Sequence, residues 1–118
     1  MERKKVKTST KKFFNIVVEH YGCSKFHPCT PYLYFEKSNE GDLAKGEYCF
    51  LHNELILYYN NIESIEELVK TIIHEYQHYL QSPSWFTRYY KMGYSYSDHP
   101  YEVKAYKEEQ IWKKLWEN

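Results

Sequence analysis

Long apolar runs are missing from this chain of 118 residues. The longest early run, FFNIVV, is interrupted by Asn15 and is followed at once by Glu19 and His20. It is too short for a membrane span or a signal peptide, and no small-residue cleavage site follows it. We therefore expect an intracellular, cytoplasmic protein with no membrane segment.

Net charge is also missing, because 16 basic residues balance 16 acidic ones. The overall charge therefore indicates neither a nucleic acid nor a membrane as partner. The charges are unevenly spread, however, since residues 3–12 contain six basic residues and no acidic residue. The simplest interpretation is a solvated first helical turn with its lead-in. A basic arm, flexible over residues 1–9 and able to bind nucleic acid through residues 3–12, is the alternative.

Cysteine is scarce and odd in number, so Cys23, Cys29 and Cys49 cannot all pair within the chain. Their spacing contains no C-x-x-C motif, and reduced thiols are the expected state in an intracellular protein. A metal site built from these cysteines and His27 would match no common zinc motif. The pattern therefore assigns no role to the cysteines.

The composition, with 42% hydrophobic and 27% charged residues, is typical of a globular protein. The length suits one domain covering residues 1–118. We predict a first helix that begins after Ser9 or Thr10 and ends at Tyr21, with Gly22 as its stop signal. The aromatic segment 32–36 predicts a strand. The segments EYCFL and ELILYY predict a hairpin that turns at His52 and Asn53.

The pattern changes to a helical period after Ile62. It predicts a long helix, capped by Asn61 or Ser64, that ends at Ser82–Pro83. An aromatic connection with at most a short helical turn follows. A last helix is expected to start near His99–Pro100 and to continue to the C-terminus. This order predicts an α+β domain with a small sheet, mixed or antiparallel, near the N-terminus.

Two histidines flank a glutamate on the long helix, in the segment HEYQH formed by residues 74–78. The apolar residues of this helix form one continuous stripe, and His74 and His78 lie roughly opposite its centre. Both histidines therefore face either solvent or a cleft rather than the core. Histidines at i and i+4 point the same way and can bind one metal ion, which is the arrangement of a helical zinc site.

A catalytic zinc site needs a third protein ligand and an open position for water. The downstream candidates are His99, Glu102, Glu108 and Glu109. Glu102 is the best of them, because it lies in the first turn of the last helix, and the small Ala105 would let that helix approach closely. A structural role is the alternative for Glu102, since an acidic residue three positions after an N-cap at His99 favours the helix end by itself.

The segments HEYQH and HPYEVKAY together resemble the gluzincin class of zinc metallopeptidases, and the short chain resembles the single-domain minigluzincins. This resemblance implies a zincin-like domain that binds one Zn²⁺ per chain through His74, His78 and Glu102. It implies that Glu75 is the general base that activates water for the hydrolysis of peptide bonds. The substrate would be a peptide or protein that pairs with one strand of the hairpin.

The chain departs from the thermolysin-like members of this class at Tyr106, where they carry an aspartate that orients a ligand histidine. Glu109, on the Glu102 side of the helix, could take over that orienting role. The oxyanion-stabilising group stays open among His99, Tyr94, Tyr96 and Tyr101. The residues that could orient a ligand or stabilise the oxyanion are therefore His99, Tyr101, Tyr106 and Glu109, with Tyr94 and Tyr96 as further candidates.

Two other functions stay open from the sequence. The chain could be a degenerate, non-catalytic zinc-binding scaffold that acts by binding proteins. It could also be a protease that associates with nucleic acid through residues 3–12, in which case binding would depend steeply on salt.

Overall fold

A computed structural model describes residues 1–116, which form helices on one small sheet. The elements in chain order are α1 (Arg3–Tyr21), β1 (Tyr32–Glu36), β2 (Gly46–Cys49), β3 (Glu54–Tyr58), α2 (Ile65–Leu80), α3 (Pro83–Lys91), α4 (Pro100–Glu108) and α5 (Trp112–Trp116). This is the predicted α+β class. No helix within the described part of the chain combines the length and the apolar character that crossing a membrane requires.

Helix α1 begins at Arg3, well before the predicted start after Ser9 or Thr10. Residues 3–9 are therefore part of a helix rather than a flexible arm. The reason is tertiary, because Val6 lies one heptad before Phe13 on the same face and is completely buried. The predicted end is confirmed, since Gly22 follows the helix with a φ of 78°, a conformation that favours glycine.

The sheet is mixed and has the order β1-β3-β2. Strand β1 pairs in parallel with β3, whereas β2 and β3 form the predicted antiparallel hairpin. Asn53 turns the hairpin with a φ of 52° and accepts a hydrogen bond of 2.7 Å from the Tyr48 hydroxyl. Of the two hairpin strands, β2 alone has an edge that no other strand among residues 1–116 pairs with, because β3 is paired on both sides. Only EYCFL can therefore offer an edge to an extended peptide.

Helix α2 is the centre of the core. Its N-cap is Ser64, whose hydroxyl accepts a hydrogen bond of 3.2 Å from the Glu67 N–H. The apolar stripe predicted for this helix packs against α1 and the sheet. The fully buried residues of the stripe are Leu68, Val69, Ile72, Ile73, Tyr76 and Tyr79. The opposite side of α2, which carries the histidines, faces α4 and the cleft.

The segment after α2 is more helical than predicted. Ser82 caps α3, accepting a hydrogen bond of 3.3 Å from the Trp85 N–H, and Pro83 occupies a first-turn position. These are ordinary helix-start signals, but the aromatic composition of the segment favoured the prediction of an irregular connection. The predicted last helix is also divided, because a 3-10 turn at Glu109–Ile111 separates α4 from α5. This break lets Leu115 of α5 join the core.

Candidate metal centre

Helices α2 and α4 bring together three side chains that can bind a metal. Nε2 of His74 and Nε2 of His78 each lie 3.0 Å from Oε1 of Glu102. One ligand atom from each residue lies within 4.8 Å of the others. Helix α4 packs along α2, and Ala105 is completely buried, as expected for a small residue at a close helix contact. The predicted ligand set is thus assembled in one place.

Each histidine is oriented through its other ring nitrogen. Nδ1 of His74 lies 2.8 Å from Oε2 of Glu109, which can only accept a hydrogen bond when ionised. Nδ1 of His78 lies 2.8 Å from Oε1 of Gln81. The Gln81 amide is itself oriented, because its Nε2 donates to the Tyr101 carbonyl over 3.1 Å. Both Nδ1 atoms therefore carry the proton.

This hydrogen bonding determines what the Nε2 atoms can do. In a neutral imidazole with a protonated Nδ1, Nε2 has a free lone pair. Two Nε2 atoms and a carboxylate oxygen thus lie around one point. Positive charge is needed between these nitrogens and the carboxylate, and it can be supplied by protons on Nε2 that donate hydrogen bonds to Glu102 or by a metal ion that displaces those protons, so the donor set fits a cation. Two nitrogen ligands and one oxygen ligand are the composition of several catalytic zinc sites.

The electrostatics of the cluster are those of a buried anion between imidazoles. Only 3% of Glu102 is exposed. Burial raises the pKa of its carboxyl, but the hydrogen bonds from His74 and His78 outweigh burial and lower the pKa to about 2. Burial lowers the pKa of His74, and the Glu102 and Glu109 carboxylates reverse this and raise it to about 10. Glu102 is therefore a carboxylate at any neutral pH.

A cleft runs past the cluster and contains Glu75. It consists of two adjoining cavities, one of about 250 Å³, that both border on Gly46, His74, Glu75 and Tyr96. Burial raises the pKa of the Glu75 carboxyl, while His74 and His78 lower it. Glu75 thus lies beside the three potential ligands, between them and the edge strand β2. It forms no hydrogen bond to them within the described residues, which leaves its carboxylate available to a bound molecule.

Gly46 is the reason that α2 can approach β2 so closely. A Cβ at this position would lie 2.6 Å from Cγ2 of Thr71 and 3.3 Å from Cγ of Glu75. Since real Cβ atoms do not tolerate the shorter distance, we expect Gly46→Ala to destabilise the fold by about 1–3 kcal/mol. The measurement is the free energy of unfolding from urea denaturation.

Thr71→Ser provides the matched rescue for Gly46→Ala. It removes the Cγ2 methyl and keeps the hydroxyl that donates to the Glu67 carbonyl over 2.7 Å. The double variant should recover most of the stability, and Thr71→Ser alone controls for the lost methyl. A Gly46→Ala variant as stable as the wild type would show that the two elements do not pack this tightly.

Of the remaining predicted site residues, some border the cleft and others do not. Tyr106 lies against His74, with ring centroids 4.7 Å apart, and borders the second cavity. His99 is the N-cap of α4 and is completely buried. Its Nε2 donates to the Phe86 carbonyl over 2.8 Å and its Nδ1 accepts from the Tyr101 N–H. Neither His99 nor Tyr101 borders the cleft, whereas Tyr96 borders both cavities.

Two further observations concern residues outside the predicted ligand set. Gln81 was not predicted, although its position three residues after His78, at the end of α2, places it within reach of that ring. Conversely, the alternative metal site of Cys23, His27, Cys29 and Cys49 is not assembled. Within residues 1–116, His74, His78 and Glu102 are the one group of at least three such side chains close enough to share an ion.

Comparison with protein-family models, with curated proteins and with solved structures finds no significant match to this chain, so its function has to be inferred from the site itself.

Proposed function

We propose that this protein is a zinc-dependent peptidase that hydrolyses peptide bonds with Glu75 as general base. The observation that supports this most strongly is the convergence of the two Nε2 atoms and the Glu102 carboxylate beside Glu75. A metal site alone would need only the ligands. The free carboxylate next to them, in a cleft bordered by an unpaired strand edge, is what favours hydrolysis of an extended peptide.

His74, His78 and Glu102 would hold the ion, and Glu109 and Gln81 would fix the two imidazoles. When bound, zinc supplies Lewis acidity that favours ionisation of water and polarises a carbonyl. Three protein ligands leave a fourth position for water or substrate. The carboxylate and carbonyl partners hold a proton on each Nδ1, so that Nε2 is the nitrogen that would give up its proton when a metal binds.

Glu75 would move the proton. Its carboxylate takes a proton from the attacking water and delivers it to the nitrogen of the leaving amine. Burial raises the pKa of Glu75, which strengthens it as a base compared with a solvated carboxylate. Its position between the potential ligands and β2 is where the scissile bond of a peptide lying along the strand would pass.

Strand β2 would align the substrate. The Tyr58 N–H donates to the Lys45 carbonyl over 2.9 Å, so Lys45 directs its backbone groups towards β3. In antiparallel pairing this direction alternates from residue to residue. The backbone groups of Gly46 and Tyr48 therefore point away from β3, towards the cleft. An extended peptide could add to this edge as a further strand.

Tyr96 is the best candidate for stabilising the oxyanion, because it is the one tyrosine that borders both cavities next to Glu75. Although 55% of Tyr96 is exposed, partial burial and the neighbouring Tyr106, Glu102 and Glu75 raise the pKa of its hydroxyl. The hydroxyl therefore keeps its proton and can donate a hydrogen bond. We expect Tyr96→Phe to lower kcat about 100-fold, while KM and zinc content change little.

The control for this prediction is Tyr94→Phe, which removes an equivalent hydroxyl from the same loop outside the cavities and should leave kcat unchanged. Equal kcat values for Tyr96→Phe and the wild type would exclude Tyr96 from the reaction and reopen the choice of oxyanion donor.

The proposed function is tested by two measurements on the same purified protein. Elemental analysis should find close to one zinc per chain. Peptides blocked at both termini should then be cleaved internally, with products identified by mass spectrometry, and cleavage should stop on chelation and return with zinc. Bound zinc without cleavage of any peptide in a diverse library would favour the non-catalytic scaffold, and no zinc would remove the proposal altogether.

A further inference from the structure

One side of α1 carries a concentration of positive charge. The basic face of α1 consists of exposed residues only, namely Arg3, Lys4, Lys5, Lys7, Lys11 and Lys12. Val6, Phe13, Phe14 and Val17 of the same helix are buried in the core, and Arg3 and Lys7 lie at the margin of that buried side. Within residues 1–116, no member of the basic face forms an ion pair. Although the chain has a formal net charge of zero, this face is strongly cationic.

This arrangement is unfavourable for the helix itself. The N-terminus of a helix carries a partial positive charge and favours acidic residues, yet the first turn of α1 contains none. Glu2 is the N-cap, but its side chain forms no capping hydrogen bond. Moreover, Lys7 lies four residues from both Arg3 and Lys11, a spacing at which like charges repel. A local arrangement that costs stability is expected where function requires it.

We propose that the basic face of α1 binds the phosphate backbone of nucleic acid without sequence specificity. Lys4, Lys7 and Lys11 follow one ridge of the helix, and at 1.5 Å per residue they span about 10 Å. Duplex DNA carries one negative charge per about 1.7 Å of its axis, so several phosphates lie within that length. An ionic partner of this kind would neutralise the repulsion within α1 and the mismatch with the helix dipole.

An anionic membrane is the less favoured partner. An amphipathic helix that binds a membrane surface inserts its apolar side. The apolar side of α1 is unavailable, because Phe14 packs edge-to-face on Tyr76 of α2 and Phe13 stacks on Trp116 of α5. Only electrostatic attraction could then hold α1 on a membrane surface. A nucleic-acid duplex presents fixed negative charge at higher density.

The basic face is independent of the candidate metal centre. Helix α1 packs against the apolar stripe of α2, whereas His74 and His78 lie on the opposite side of α2, against α4. Nucleic acid on α1 would therefore leave the cleft accessible. The protein could bring a hydrolytic site to nucleic-acid-bound substrates, but the binding itself does not depend on the proposed peptidase function.

The test is binding of the full chain to a fluorescein-labelled duplex of random sequence, measured by fluorescence anisotropy between 50 and 200 mM salt. The wild type should bind, and the logarithm of its association constant should fall linearly with the logarithm of salt concentration. The triple variant Lys4→Gln, Lys7→Gln, Lys11→Gln should bind at least about tenfold more weakly at the lowest salt. Its salt slope should be smaller by about 2.7, or about 0.9 for each lost contact.

The matched control is Lys37→Gln, Lys91→Gln, Lys107→Gln, which removes the same charge from exposed positions elsewhere and should bind like the wild type. Far-UV circular dichroism should show the α1 variant melting no lower than the wild type at low salt, since its substitutions relieve repulsion. Three results would overturn the proposal: no binding at low salt, equal losses in both triple variants, or tighter binding to phosphatidylserine vesicles than to the duplex.

Discussion

Glu75→Gln will retain zinc at the wild-type stoichiometry and hydrolyse peptides at least about 1,000-fold more slowly. The substitution keeps the size of the side chain, and the three potential metal ligands, His74, His78 and Glu102, are untouched. It removes a cleft carboxylate that forms no hydrogen bond within the described residues and can accept a proton from water, whereas the Glu47 carboxylate in the same cleft accepts one from the Tyr58 hydroxyl. The measurements are zinc per chain by elemental analysis and kcat/KM with a blocked peptide.

The matched control for Glu75→Gln is Glu66→Gln on the same helix. Glu66 lies at the surface, 3.5 Å from Lys70, and borders neither cavity of the cleft. We expect it to behave like the wild type in both measurements. Hydrolysis by the zinc-loaded Glu75→Gln variant at the wild-type rate would show that another group accepts the proton, and the general-base assignment would be wrong.

Glu102→Ala will weaken zinc binding by at least about 100-fold, so that the purified variant carries little or no zinc. Loss of a residue that only orients a ligand already costs about 10–100-fold in affinity, and loss of a ligand costs more. The Glu102 carboxylate is also the anion on which both Nε2 atoms converge, so alanine removes a negative charge as well as a ligand. Competition with a zinc chelator of known affinity measures the change.

Glu108→Ala is the control, because Glu108 lies on the same helix and was an alternative third ligand in the sequence. Its carboxylate accepts hydrogen bonds from the Tyr21 hydroxyl over 2.9 Å and from Lys104 over 2.7 Å, away from the histidines. Zinc binding should survive this substitution. Glu102 also lies in the first turn of α4, so unfolding of both variants in the presence of chelator separates loss of helix stability from loss of the metal. Unchanged zinc affinity in Glu102→Ala would leave Glu102 as a helix-end residue only.

The sequence by itself determined the local features of the site. The helical period and the Ser64 cap define α2, and the spacing of four residues between His74 and His78 places both on the side away from the apolar stripe. These features depend on neighbours within a few residues, and the geometry of a single helix determines them. The hairpin and the end of α1 at Gly22 were predictable for the same reason.

Only the tertiary structure decided how separate elements meet. Downstream of α2 the sequence offered four possible ligands, and the packing of α4 on α2 brings Glu102 to both Nε2 atoms while Glu109 contacts Nδ1. The same holds for the start of α1, which the burial of Val6 sets, and for β2 as the free edge. Such contacts join residues far apart in the chain, and they depend on the packing of the whole core rather than on any local pattern.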